Sequence, residues 1–218
     1  MAEGRLRDVA SEELTRFARA LTEAWGHFAQ QWKVWVAAAC LNLIVSASIV
    51  VAGLLAWPLL KLDGYEVLLA VTALLGLFTG GLCRMAIRQL RGEAISVGHA
   101  FTFGPEFLYL MGASVMLLLI VPPALVFGGA RNLLLTFPLI VDRRISIGDA
   151  LSESWQTLSR ARQPWNAMGF FAIFLALGAV SVGSLALVVG FPVTVPLFWL
   201  WVAGVYRECY ACPTSGEE

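Results

Sequence analysis

The chain is 218 residues long, 59% hydrophobic and only 14% charged, and its 15 basic and 15 acidic side chains cancel. Soluble domains hold roughly 45–50% apolar and 25% charged residues, so this composition belongs to the membrane class and excludes an ordinary water-soluble globule. Basic groups interleaved with acids also exclude nucleic acid as the expected partner.

About thirty amphipathic, charged residues come first, without the short apolar core and small-residue cleavage site of a signal peptide, so the N-terminus is expected to be retained. Within residues 12–32, Leu14, Phe17, Leu21, Trp25, Phe28 and Trp32 share one helical stripe, with Glu13, Arg16, Glu23 and Gln30 opposite. A Trp-rich stripe beside mixed charge suits a helix at the headgroup boundary, and it equally suits one packed on the ends of membrane spans.

Apolar runs follow at 34–57 and 67–83, with Pro58 near their turn. Each is close to the roughly 18–20 residues that cross a hydrocarbon core of about 30 Å. After Arg84, Arg88 and Arg91 comes a short polar segment cut by Gly104-Pro105, then shorter or interrupted runs at 107–121 and 124–141 around Pro122 and Pro123. In 146–160, Ile147, Ala150, Leu151, Ser154, Trp155 and Leu158 share a helical face, and Ser146 with Asp149 has capping-box spacing. Runs at 169–189 and 191–206, with Pro192 near their turn, bring the expected spans to six.

Every basic residue except Lys61 and Arg131 falls on one side of this scheme, and the positive-inside rule then makes both termini cytoplasmic. The polar segments echo one another. Ile95-Ser96-Val97-Gly98-His99-Ala100-Phe101 parallels Ile145-Ser146-Ile147-Gly148-Asp149-Ala150-Leu151, and Ala20-Leu21-Thr22-Glu23-Ala24-Trp25 parallels Ala150-Leu151-Ser152-Glu153-Ser154-Trp155, with Trp35 and Trp165 equally far on. The expected fold is therefore all-α: one polytopic membrane domain, 1–218, of six transmembrane helices arranged as three repeats of an interfacial amphipathic helix plus a transmembrane hairpin. The repeats cover 11–87, 94–141 and 145–210, and 1–10 and 211–218 read as flexible tails.

The pattern Phe137-Pro138-Leu139-Ile140-Val141-Asp142, then Ala150-Leu151 with Ser154-Trp155, then Trp165, Gly190, Pro192, Pro196 and Tyr206-Arg207 resembles a broad group of bacterial six-span inner-membrane proteins, similar to the membrane domain joined to some glycerophosphodiester phosphodiesterases. The resemblance covers most of residues 90–210 and implies a bacterial cytoplasmic-membrane location. It carries no catalytic residues, and the phosphodiesterase barrel would need roughly 250 further residues.

Arg131 is the costliest residue if it lies inside the fourth span, at about 2.5–3.5 kcal/mol. Alternatively, Gly128-Gly129-Ala130 forms the outer turn and Arg131 snorkels to the outer headgroups. Arg143 and Arg144, with Trp25 and Trp155, are the candidate lipid or ligand contacts, at roughly 1 kcal/mol per basic group near an anionic surface. Cys209 and Cys212 have CxxC spacing but neither a thioredoxin-like context nor a second metal-ligand pair, and no cofactor is expected. His27 and His99 stand alone, without triad spacing. Small residues such as Ser46, Ser48, Gly76, Gly80, Gly178 and Gly183 suit close helix packing or the lining of a cavity. The expected function is a non-catalytic scaffold, assembly or lipid-organising partner, its contacts being membrane lipids of anionic type and a protein partner or second copy. The alternative is a small transporter or lipid-handling protein with a midplane site near Arg131.

Overall fold

The computed structural model describes residues 19–61, 63–102, 104–126, 130–160 and 184–210, and every regular element among them is helical. The tails 1–10 and 211–218, Trp165, Gly178, Gly183 and most of the fifth expected span lie outside the described residues. Helix α1 (19–30) passes through a turn at Gln31 directly into α2 (Trp32–Leu60). The interruption is slight, because Val34 N–H and Trp35 N–H both already bond the Gln31 carbonyl.

Helix α2 stops at Lys61, which takes the left-handed conformation (φ 51°) one turn after Pro58, and Asp63 opens α3 (Gly64–Leu90). Asp63 and Glu66 form a reciprocal capping box, which satisfies two of the orphan amides at the helix start. Gly64 is needed beneath the Trp57 ring, which a β-carbon would approach to 2.9 Å. The long α2–α3 hairpin is therefore specified locally.

Helix α3 ends at Arg91, and Gly92 (φ 78°) makes the turn. The chain returns alongside α3 as a single 3-10 turn, Val97–Phe101, its start held by Ser96 and His99. An amphipathic helix was the expectation for this second segment. A five-residue 3-10 turn stands there, because Gly104-Pro105 leaves no length for more. Phe101 packs against Phe78, with ring centroids 5.8 Å apart.

Helix α4 (Phe107–Val126) is followed by a 3-10 turn, Ala130–Leu133, and the short α5 (Thr136–Arg143). The fourth expected span, 124–141, is thus divided rather than one helix. Thr136 contributes to the break by donating from its hydroxyl to the Leu133 carbonyl at 2.8 Å, and Pro138 sits in the first turn of α5, where its missing N–H costs nothing. Arg144 (φ 55°) ends α5, and Ser146 caps α6 (Ile147–Arg160) through the Asp149 amide at 3.3 Å. Helix α7 (Ser184–Tyr210) holds Pro192 and Pro196.

Burial is polarised. Residues Thr136 to Val141 of α5 are all buried, among Leu82, Met85 and Ala86 of α3, Leu110 of α4 and Leu200, Val202 and Val205 of α7. Helix α6 straddles this core: the Ser154 hydroxyl donates to the Asn132 carbonyl at 2.6 Å and accepts the Leu135 amide at 3.2 Å, while Thr157 bonds the Tyr210 hydroxyl at 2.9 Å. On α1, Ala24 and Phe28 are buried while Leu21 and Trp25 are exposed, as is Trp32 at the start of α2, so the expected single stripe is split by packing.

Away from that core the helices are apolar and bare. Two helices are long and apolar enough to cross a membrane: 28 residues of α2 at mean hydropathy 2.3 and the 27 residues of α3 at 1.9. Only 22% and 28% of their most apolar windows are buried, whereas a core helix of a soluble protein would be mostly covered. Leu54, Leu55 and Leu59 face outward, Leu59 to 80%, each forgoing about 1.5–3 kcal/mol in water that a hydrocarbon solvent would supply. Polar groups along these helices are locally satisfied. Asn42 donates to the Phe78 carbonyl at 3.4 Å and accepts from Ser46 at 3.0 Å, and Ser48 and Ser114 bond carbonyls one turn back. Gly76 and Gly80 lie against Ser114 and Leu110 of α4, which makes them packing residues.

Candidate functional site: an arginine-walled cavity

The ends of α3, α5 and α7 converge on Asp142, in the last turn of α5. One of its carboxylate oxygens accepts from Arg91, just past α3, at 2.5 Å, and the other accepts from the Tyr206 hydroxyl of α7 at 2.8 Å. A single charge, its side chain 13% exposed, thereby fastens three helices through charge-assisted bonds, roughly twice as strong as neutral ones.

Arg143, the next residue, donates to Glu153 of α6 at 2.7 Å and lies 4.3 Å from the centroid of the Tyr210 ring, within cation–π range. Arg207, one turn before the end of α7, reaches Glu23 of α1 at 3.3 Å. Between Arg91, Arg143 and Arg207 is a cavity of about 290 Å³, floored by Ile87, Leu90 and Ala203 and edged by Tyr206 and Tyr210. Three guanidinium groups and one carboxylate face it, which makes its wall rich in charged hydrogen-bond donors.

A second polar connection joins other helices to the end of α3. The Trp35 indole donates to Gln89 at 2.6 Å, and the Gln89 amide donates to the His27 carbonyl, which ties α1 and α2 to α3. Further down α3, Arg84 donates to both Glu106 and the Thr102 carbonyl, bracing the start of α4.

Of the residues singled out from the sequence, Arg143 belongs to the cavity. Arg144 is exposed at the left-handed end of α5 and is not part of the wall. Trp25 (54% exposed) and Trp155 (44%) stand outside the cavity, on α1 and α6. Arg131 occupies the 3-10 turn between α4 and α5, and its side chain lies outside the described residues. Cys212 also lies outside them. The Cys209 thiol is pushed up to about 11 by burial first and by the charge of Glu208 second, so little thiolate, the nucleophilic and metal-binding form, exists near neutrality. Among the described residues no three His, Cys, Asp or Glu side chains come together as a metal site.

Arg91, Asp142, Tyr206 and Arg207 were not separated out as a site by sequence reasoning. One signal pointed to Asp142: it is the first acidic residue after Glu106 and is followed at once by Arg143-Arg144. Its partners, 51 and 64 residues away, carry no local spacing that would announce them. No protein-family model, curated protein or solved structure matches the chain.

Proposed function

We propose that the protein is a six-span membrane protein, built as three repeats, that acts as a non-catalytic scaffold, assembly or lipid-organising partner through the arginine-rich end of its bundle, which faces the cytoplasm. The observation that carries this is the polarity of the packing. One end holds the ion pairs and the buried core and the other is an uncovered apolar shaft; exposed Trp25 and Trp155 sit at the first end beside the charges, and exposed Trp57 stands by the α2–α3 turn at the other. Tryptophan rings in that position gain from the amphipathic headgroup layer. The repeat is supported by matching environments: Ala24 and Ser154 are buried, Trp25 and Trp155 exposed, Phe28 and Leu158 buried. Ser96 with His99 and Ser146 with Asp149 also pair at matching positions, the first through the Ser96 amide and the second through the Ser146 hydroxyl. The likeness to the bacterial six-span group stays part of this proposal, as does a second copy or another protein as partner.

The test is tryptophan depth. The purified protein, reconstituted with lipids brominated near the headgroup or near the chain end, is compared with Trp25→Phe and Trp155→Phe. The emission that each substitution removes should be the fraction quenched by the shallow bromines. Emission quenched by neither lipid would place these rings in water and end the lipid-organising reading.

A second reading, a small transporter or lipid-handling protein, is favoured by the division of the fourth span. Discontinuous helices of this kind hold transporter substrates near the midplane. From Arg131 to Arg143 the chain can rise no more than about 25 Å, of which α5 supplies about 12 Å, against a hydrocarbon core of about 30 Å. With Arg143 at one headgroup layer, the Arg131 backbone falls short of the other, and this supports a depth within the bilayer.

A further inference from the structure

We propose that the cavity between the ends of α3, α5 and α7 binds a phosphate monoester: the headgroup of a phosphatidate-type lipid or a small soluble ester of the same chemistry. The inference deepens the lipid-organising reading above and rests on it. Three guanidinium groups face the cavity against one carboxylate, while Glu153 and Glu23 pair Arg143 and Arg207 from outside the wall, so what the cavity offers a ligand is an array of charged donors rather than a surplus of charge. Asp142 has both oxygens occupied, by Arg91 and by Tyr206, so its charge is already compensated.

Each arginine has one nitrogen in its ion pair. A guanidinium carries five N–H donors in a planar fork, so each retains donors for a further acceptor. The Tyr210 ring, 4.3 Å from the Arg143 guanidinium carbon, holds that group in place beside the cavity. Three forks from three separate helix ends suit the several oxygens and the charge of about −1.5 to −2 of a phosphate monoester better than the two coplanar oxygens of a carboxylate. The apolar floor of Ile87, Leu90 and Ala203 fits the first carbons attached to the ester oxygen, and about 290 Å³ is near the lower end of small-ligand sites.

The experiment uses the purified full-length chain in a non-ionic detergent, reading melting temperature and binding by titration. The probes are dihexanoyl phosphatidate, glycerol 3-phosphate and dihexanoyl phosphatidylcholine. The phosphomonoesters should bind and stabilise, and phosphatidylcholine should bind at least tenfold more weakly. Equal response to glycerol 3-phosphate and phosphatidate assigns the natural ligand to the soluble esters, and a response requiring the acyl chains assigns it to lipid; both support the site. Arg143→Gln and Arg207→Gln should each weaken binding about tenfold or more, consistent with loss of one charged hydrogen bond. Arg207→Lys, which keeps the charge but loses the fork, should bind more tightly than Arg207→Gln and more weakly than the wild type, and Arg131→Gln should leave binding unchanged. Should a cavity variant not fold, wild-type affinity must still fall steeply with added salt and be competed by inorganic phosphate. No phosphomonoester response in the wild type, equal response in the glutamine variants, salt-independent binding, or loss in Arg131→Gln alone would each overturn the proposal. Failure here with Trp25 and Trp155 still quenched by shallow bromines would remove this site and leave the lipid-organising reading standing.

Discussion

Arg84→Met should destabilise the protein by about 3–5 kcal/mol, the usual consequence of removing one member of a buried ion pair. Glu106 is 4% exposed, its second carboxylate oxygen is buried without a partner among the described residues, and Arg84 is what neutralises it. The same substitution deprives the Thr102 carbonyl of its donor, so the link between the 3-10 turn and α4 loosens with it. The loss comes from an uncompensated buried charge and not from an intrinsically strong bond, so Arg84→Met with Glu106→Leu should recover most of the stability. Denaturant unfolding in mixed micelles measures all three proteins. A single variant costing under about 1 kcal/mol, or a double variant no better than the single, would contradict this account of the brace.

Gly81→Ala should be nearly as damaging, although alanine is the better helix former by about 1 kcal/mol. A β-carbon at Gly81 would stand 1.9 Å from the Ala100 carbonyl oxygen and 2.7 Å from its carbon. These are backbone atoms, so no side-chain rotation relieves the clash and the whole 3-10 turn must move off α3. Overpacking of this kind costs about 1–3 kcal/mol, and here it includes separation of the Phe78 and Phe101 rings. Gly204→Ala in α7 is the matched control: nothing among the described residues lies within 4 Å of its would-be β-carbon, so there the propensity gain should appear as a small stabilisation. The two substitutions should shift the denaturation midpoint in opposite directions. A stabilising Gly81→Ala would mean that the turn does not rest on α3.

What the sequence made legible follows the range over which its signals act. The first hairpin is local: apolar runs at 34–57 and 67–83 lie inside α2 and α3, and the Asp63 capping box and the Ser146 cap need only three residues each. The division before α5 was only partly visible: Gly128-Gly129-Ala130 offered a turn and Arg131-Asn132 a polar interruption, but Leu133-Leu134-Leu135 reads as span. The break depends on the Thr136 hydroxyl and on Ser154 of α6 taking up the backbone groups of Asn132 and Leu135. The α1 stripe misled for a similar reason. Periodicity grouped Leu21, Trp25, Phe28 and Trp32, but contact with the rest of the bundle chose the side carrying Ala24 and Phe28. The cavity was hidden because Arg91, Asp142 and Arg207 read individually as topology charges, and only the packing of three helix ends makes them one wall.

The central claim is that the arginine-walled end and the α2–α3 turn stand on opposite sides of a membrane. Single cysteines introduced into a chain freed of Cys40, Cys83, Cys209 and Cys212 test it directly, using a membrane-impermeant maleimide on intact and permeabilised cells. Asp63→Cys, in the exposed turn between α2 and α3, should be labelled on intact cells. Ala94→Cys, exposed just beyond α3 at the arginine-rich end, should be labelled only after permeabilisation. Equal labelling of the two before permeabilisation, or recovery of the protein in the soluble fraction, would contradict it.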